Sequence, residues 1–278
     1  MEPVFEYLNY REYLGDYFAE KKAQHSFYSC RLFSQKMGFK SPNFMKLVIE
    51  SQRNLTKDSV FKITKGLKFN KKEAEYFENL VFFNQSKSLD EKNFYLKSVL
   101  KFRKQTSPHK VEKEELKYFT NWYHPVIREL VCAVDFSGDY KKLGKSLIPA
   151  ITADEAKRSV KLLVELGYIT QEKGQYCLTS TNISTGPQIR SVAVSNYHRE
   201  MISLASESIE RFPAAERNIT SLTLSLSKET SDVIVKKIEE FRKELLMLAE
   251  ADKCANKVTQ INFQLFPLSD TMDKEADK

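Results

Sequence analysis

Glycine is scarce in this chain, 8 residues of 278, and the few present do not gather into a loop. Neither G-x-G-x-x-G nor G-x-x-x-x-G-K occurs, so no glycine-rich backbone cradle for a phosphate is predicted. No Gly-x-Ser-x-Gly elbow occurs either. The four cysteines, Cys30, Cys132, Cys177 and Cys254, lie far apart with no Cys-x-x-Cys pair, and they read as reduced, mostly buried thiols. His25, His109, His124 and His198 are equally scattered, which leaves no metal-ligand spacing, and no carboxylate cluster suited to Mg²⁺ is apparent. No apolar run approaches the roughly 18 residues that cross a bilayer. The opening Met1-Glu2-Pro3-Val4-Phe5-Glu6 lacks the basic and then apolar regions of a secretory signal. These absences predict a cytoplasmic chain with no membrane association, no metal, no cofactor and no catalytic residues.

What is there in quantity is positive charge, unevenly placed. Hydrophobic residues make up 41% of the chain and charged residues 29%, a balance that predicts folded globular domains rather than disorder. The length predicts about two domains, each large enough to bury a core. The net charge is +7, yet residues 21–72 alone carry 13 Lys+Arg against 2 Asp+Glu. Cations concentrated in one segment are the footprint expected of a polyanion-binding surface.

Within that segment the residue order predicts a helix-turn-helix. In Cys30-Arg31-Leu32-Phe33-Ser34-Gln35-Lys36-Met37-Gly38-Phe39, Ser34 is small where two helices touch, and Gly38 supplies the positive φ of a tight turn. In Lys40-Ser41-Pro42-Asn43-Phe44-Met45-Lys46-Leu47, Ser41 is placed to cap the second helix, with Pro42 in its first turn. Phe33, Met37, Phe44 and Leu47 then fall on the inner faces, with Asn43, Met45, Lys46 and Glu50 outward. Flanking helices are predicted over residues 4–22, 56–66, 71–83 and 89–104.

After Thr106-Ser107-Pro108-His109-Lys110, the expected domain boundary, helices are predicted over 115–134, 140–148 and 152–166. Thr152-Ala153-Asp154-Glu155 is a helix start. A β-hairpin follows, its turn within Gln171-Glu172-Lys173-Gly174-Gln175. Three helices and a hairpin read as a winged helix. Residues 112–186 hold 10 basic and 10 acidic side chains, so this unit reads as a scaffold or protein-contact surface; contact to phosphate through Lys157, Arg158 and Lys161 stays open. A helix is then predicted over 188–211, a strand over 219–226, a helix over 227–251 and a strand over 258–265. The expected fold is thus mainly α with small β: a repressor-type helix-turn-helix bundle over 1–105, a winged helix over 111–182, an α-β-α-β dimerisation or sensing unit over 187–270, and a disordered tail over 271–278.

Six stretches together resemble a bacterial paralogous family of helix-turn-helix proteins greatly expanded in Fibrobacter and Bdellovibrio: Tyr10-Arg11-Glu12-Tyr13-Leu14, Ser41-Pro42-Asn43-Phe44, Arg53-Asn54-Leu55, Glu73-Ala74-Glu75-Tyr76-Phe77, Trp122-Tyr123-His124 and Phe266-Pro267-Leu268-Ser269. The resemblance implies a transcriptional regulator with a C-terminal domain of unknown function, and it implies no effector or target. Trp122-Tyr123-His124 reads as an aromatic core cluster.

The function expected from the sequence is a sequence-specific DNA-binding transcriptional regulator that acts as a homodimer on double-stranded DNA through the N-terminal helix-turn-helix. Lys40, Ser41, Asn43 and Lys46 would lead base recognition, and Lys36, Arg53, Asn54 and Lys57 would complete the contact, the basic ones at phosphates. The alternative is an adaptor or protein-interaction module with only nonspecific nucleic-acid binding. An effector or a protein partner for the C-terminal region is left open.

Overall fold

The computed structural model of this chain describes residues 2–102, 117–133, 136, 138–172, 175–179, 187–252 and 254–270, with only the backbone at 187–190. The expected linker at 106–110 and tail at 271–278 lie outside them. The chain is mainly helical with a small two-stranded sheet. It divides into two compact units, Met1–Asn121 with Thr181–Tyr197, and Trp122–Ser180 with His198–Lys278.

In the first unit a short 3-10 turn at Val4–Glu6 precedes α1 (Tyr10–Gln24), followed by α2 (Cys30–Lys36), α3 (Phe44–Ile49), α4 (Lys57–Gly66), α5 (Lys71–Gln85) and α6 (Leu89–Phe102). Side chains fix the starts. Asn9, Ser29, Thr56 and Asn70 each accept an N–H of the first turn, and Asn70 with Glu73 closes a capping box. The cap at Asn9 is why α1 begins at Tyr10 rather than at residue 4. The core is strongly aromatic: Tyr10, Phe33, Tyr76 and Phe77 are fully buried beside Leu14, Ile63 and Leu80. The Tyr10 hydroxyl donates to Gln85 and the Tyr76 hydroxyl to the Tyr7 carbonyl, so the phenol groups keep partners inside the apolar interior.

In the second unit α7 (Tyr123–Ala133), α8 (Tyr140–Ser146) and α9 (Ala153–Glu165) lead into an antiparallel hairpin, β1 (Ile169–Glu172) with β2 (Gln175–Leu178). Thr152 and Glu155 form the capping box that starts α9. The single helix predicted over 115–134 does not form as one piece: residues 117–118 are helical, 119–122 turn, and α7 starts at Tyr123. Pro125 explains the break, because its ring is tolerated only in a helix's first turn. Ile127, Leu143, Ala156, Leu163 and Ile169 make the core here. His124 is buried with them, its Nδ1 2.7 Å from the Ser159 hydroxyl.

Helix α10 (Pro187–Arg211) is followed by a 3-10 turn at Ala214–Glu216 and by α11 (Lys228–Ala251). The predicted strands at 219–226 and 258–265 are corrected. Both are unpaired segments outside regular structure, and β1–β2 is the only sheet among the described residues. Their alternating patterns are real, but a strand needs a neighbour, and the hairpin does not supply one. The cysteines also depart from expectation: Cys30 and Cys132 are half-buried while Cys177 and Cys254 are exposed, and none is in a disulfide.

Candidate nucleic-acid interface

The basic segment is organised around Ser34. This residue is fully buried on α2, and its hydroxyl donates to the Pro42 carbonyl at 3.0 Å and accepts the Met45 N–H at 3.2 Å. The first amides of any α-helix lack partners within the helix. Ser34 therefore caps α3 from the neighbouring helix. Gly38 takes φ 80° to turn the chain out of α2, as its freedom from a Cβ allows. Gly66, ending α4, approaches so closely that a Cβ there would lie 2.9 Å from the Lys36 carbonyl and 2.7 Å from the Met37 sulfur.

Two details differ from the sequence expectation. Helix α3 begins at Phe44 with Asn43 at its N-cap position, and Ser41 is not the cap. Instead the Ser41 carbonyl accepts the Phe44 N–H, so residues 40–43 form a turn leading into the helix. Met45, expected outward, is fully buried. The buried face of α3 runs through Phe44, Met45 and Val48, which sets Met45 against α2 at Ser34 and leaves Leu47 only partly covered.

An aromatic and cationic stack joins the turn to the far end of α3. Phe39 and Phe44 stack with centroids 3.8 Å apart, and the Arg53 guanidinium lies 4.7 Å from the Phe44 ring centre. The chain returns there through Ser51, whose φ of 63° is left-handed, and the Leu47 carbonyl then accepts the N–H groups of Gln52 and Arg53. This is a helix end closed over an αL residue, a place more often held by glycine. Arg11 on α1 fastens the return, donating to the Arg53 carbonyl at 2.9 Å, to the Asn54 side-chain oxygen at 2.7 Å, and to the Val48 carbonyl. Spacing alone did not reveal Arg11 as part of this region, since its partners lie some forty residues away in sequence.

All eight residues expected at the interface, Lys36, Lys40, Ser41, Asn43, Lys46, Arg53, Asn54 and Lys57, are exposed. Arg53 is brought onto Phe44, next to Asn43 in the chain, and the turn at 40–43 supplies Lys40 and Ser41. Lys36 lies instead over the Tyr28 ring at 5.1 Å, and Lys57 stands in the first turn of α4. The side-chain oxygen of Asn54 is committed to Arg11. The only two acids in residues 21–72 are Glu50 and Asp58, and each is taken locally, by Lys46 at 3.8 Å and Lys62 at 2.7 Å. Exposed i,i+4 pairs of this kind are weak, so the field of the remaining cations is scarcely offset.

Downstream of this surface the family Domain of unknown function (DUF4423) matches residues 102–268, more than half of the chain. The chain belongs to the DUF4423 family. All eight residues expected at the interface lie before the DUF4423 region, so the family match covers most of the second unit with residues 102–121 and 181–197 of the first, and not the basic surface. No curated protein and no solved structure matches the chain. Among the described residues no group of three or more His, Cys, Asp or Glu side chains is placed to hold a metal, and no helix is long and apolar enough to cross a membrane.

Proposed function

We propose that the chain is a sequence-specific, DNA-binding transcriptional regulator that works as a homodimer, with α2, the turn at 37–43 and α3 as its helix-turn-helix. The observation that carries this reading is the exposed face of residues 36–57. It presents cations and amide groups almost without acids, on a backbone held by the Ser34 bonds and the Arg11 clamp. A rigid element with charge outward is what phosphate positioning and base reading require. Asn43 and Lys46, at the start and middle of α3, are the base readers; Arg53, Lys36 and Lys57 hold phosphates. The α7–α9 bundle with its hairpin is a winged helix of balanced charge, serving as scaffold or protein-contact surface. This reading agrees with the resemblance to the helix-turn-helix paralogues of Fibrobacter and Bdellovibrio, and a DNA partner puts the protein in the cytoplasm.

The test is a salt titration of binding to a selected duplex. Log affinity should fall linearly with log salt concentration, and Arg53→Ala should reduce the slope by about one. An affinity indifferent to salt would contradict the proposal. The adaptor reading draws on one specific observation, the exposed apolar side chains after residue 218, and predicts equal affinity for every duplex.

A further inference from the structure

Beyond Met201 not one described residue is buried. That stretch includes all 24 residues of α11, which buries none of its side chains. Helix α11 nevertheless has a one-sided apolar stripe, Ile234, Ile238, Phe241 and Leu245, and a helix gains most of its stability by covering such a face. Leu222, Leu224, Ile261 and Phe263, alternating along the two flanking segments, are 86%, 58%, 53% and 38% exposed. No main-chain hydrogen bond is made by the amides of residues 218–226 or 261–268. Within the chain the apolar face is only touched: the Phe241 and Phe263 rings meet edge-on at 6.1 Å, and the Asn262 amide donates to the Met201 carbonyl at 3.0 Å.

We propose that residues 219–268 are one half of a two-fold interface whose other half is the same segment of a second copy of this chain. The segments 219–226 and 258–265 of the two copies pair into one sheet, and both α11 helices lay their apolar stripes on it. Three observations favour a second copy over another partner. Unpaired edges joined to an apolar face on the same short segment are self-complementary, which a two-fold axis satisfies and closes. Charge on α11 is balanced and alternates in blocks, Lys236-Lys237, Glu239-Glu240, Arg242-Lys243, Glu244, so the helix complements its own antiparallel image better than a strongly acidic or basic partner. Fifteen large apolar side chains between Ile219 and Leu268 are exposed. At roughly 80 Å² apiece they offer on the order of 1,000 Å² per chain, against the about 800 Å² per partner of a standard stable interface. The interface does not rest on DNA binding; it would supply the second reading head that the proposed function needs.

The test uses the full chain in sedimentation and in amide hydrogen exchange. At micromolar concentration the protein should sediment at twice 32.3 kDa, with slow exchange across 219–226 and 259–265. Leu224→Asp should halve the mass. Thr220→Pro and Thr223→Pro stand an odd number of residues apart, and alternate N–H groups point to opposite edges of a strand. Whichever edge is paired, at least one of them should also give monomer. Phe94→Asp, an exposed change in the other unit, should leave the dimer whole, and helix content by circular dichroism should persist in every variant. A wild-type monomer, or a dimer that keeps its mass in Leu224→Asp and both proline variants, overturns the inference. Failure of the dimer to bind DNA would instead count against the proposed function alone.

Discussion

Replacing Ser34 by alanine should open the joint between α2 and α3. Alanine fits the space, so the cost is electrostatic and not steric. The Pro42 carbonyl belongs to an exposed residue and can turn to water, whereas the Met45 amide lies in a fully buried residue and loses its only acceptor. A buried donor left without a partner costs about 1–3 kcal/mol. Taking about 2 kcal/mol, and about 1.4 kcal/mol per factor of ten, the Met45 amide should exchange with solvent about 30-fold faster. Hydrogen exchange read at that amide is the assay of choice, since the two units need not unfold together and a single unfolding midpoint would mix them. On the proposed function, affinity for DNA should fall for all sequences, because α3 loses its support. An unchanged Met45 exchange rate in Ser34→Ala would refute this account of the joint.

Asn43→Ala should relax base preference at one position by about tenfold, the lower range of a bidentate amide–adenine pair, while nonspecific affinity changes little; binding-site selection with the variant reads this directly. Gly66→Ala should destabilise the first unit by about 1–3 kcal/mol through the contacts its Cβ would make with Met37 and the Lys36 carbonyl, measurable by hydrogen exchange at that unit's slowest amides. Burial lowers the His124 pKa from 6.5 to about 4. Between those values the unfolded chain binds more protons than the folded one, so the second unit should lose about 3 kcal/mol as pH falls from 6.5 to 4. His124→Gln should flatten that part of the stability profile.

Where local chemistry decides, the sequence was legible: the helix start at Thr152, the positive φ at Gly38 and the hairpin around residues 171–175 all follow from neighbours a few positions apart. Ser34 could be read as a contact between helices because its size and offset from Gly38 are local facts. Arg11 could not, since its partners Val48, Arg53 and Asn54 are brought to it only by folding. Met45 was misplaced because the inner face of α3 centres on Phe44, Met45 and Val48 and not on Phe44 and Leu47, an offset of less than one residue's turn of about 100° that spacing alone does not resolve. The segments at 219–226 and 258–265 mark another limit. Alternation reports that one face wants cover, but it does not say which chain provides the neighbouring strand.

The central claim, that residues 36–57 read a DNA sequence, is tested most directly by selecting binding sites from a random duplex pool with the full-length protein. The winning duplex is then compared with a shuffled version of itself at physiological salt. A sequence-specific regulator should enrich one motif with two-fold symmetry, its half-sites one or more helical turns apart. It should bind that motif at least about a thousandfold more tightly than the shuffled duplex. Equal affinity for the two, with no motif enriched, would contradict the claim and leave the basic surface as a nonspecific polyanion contact on an adaptor.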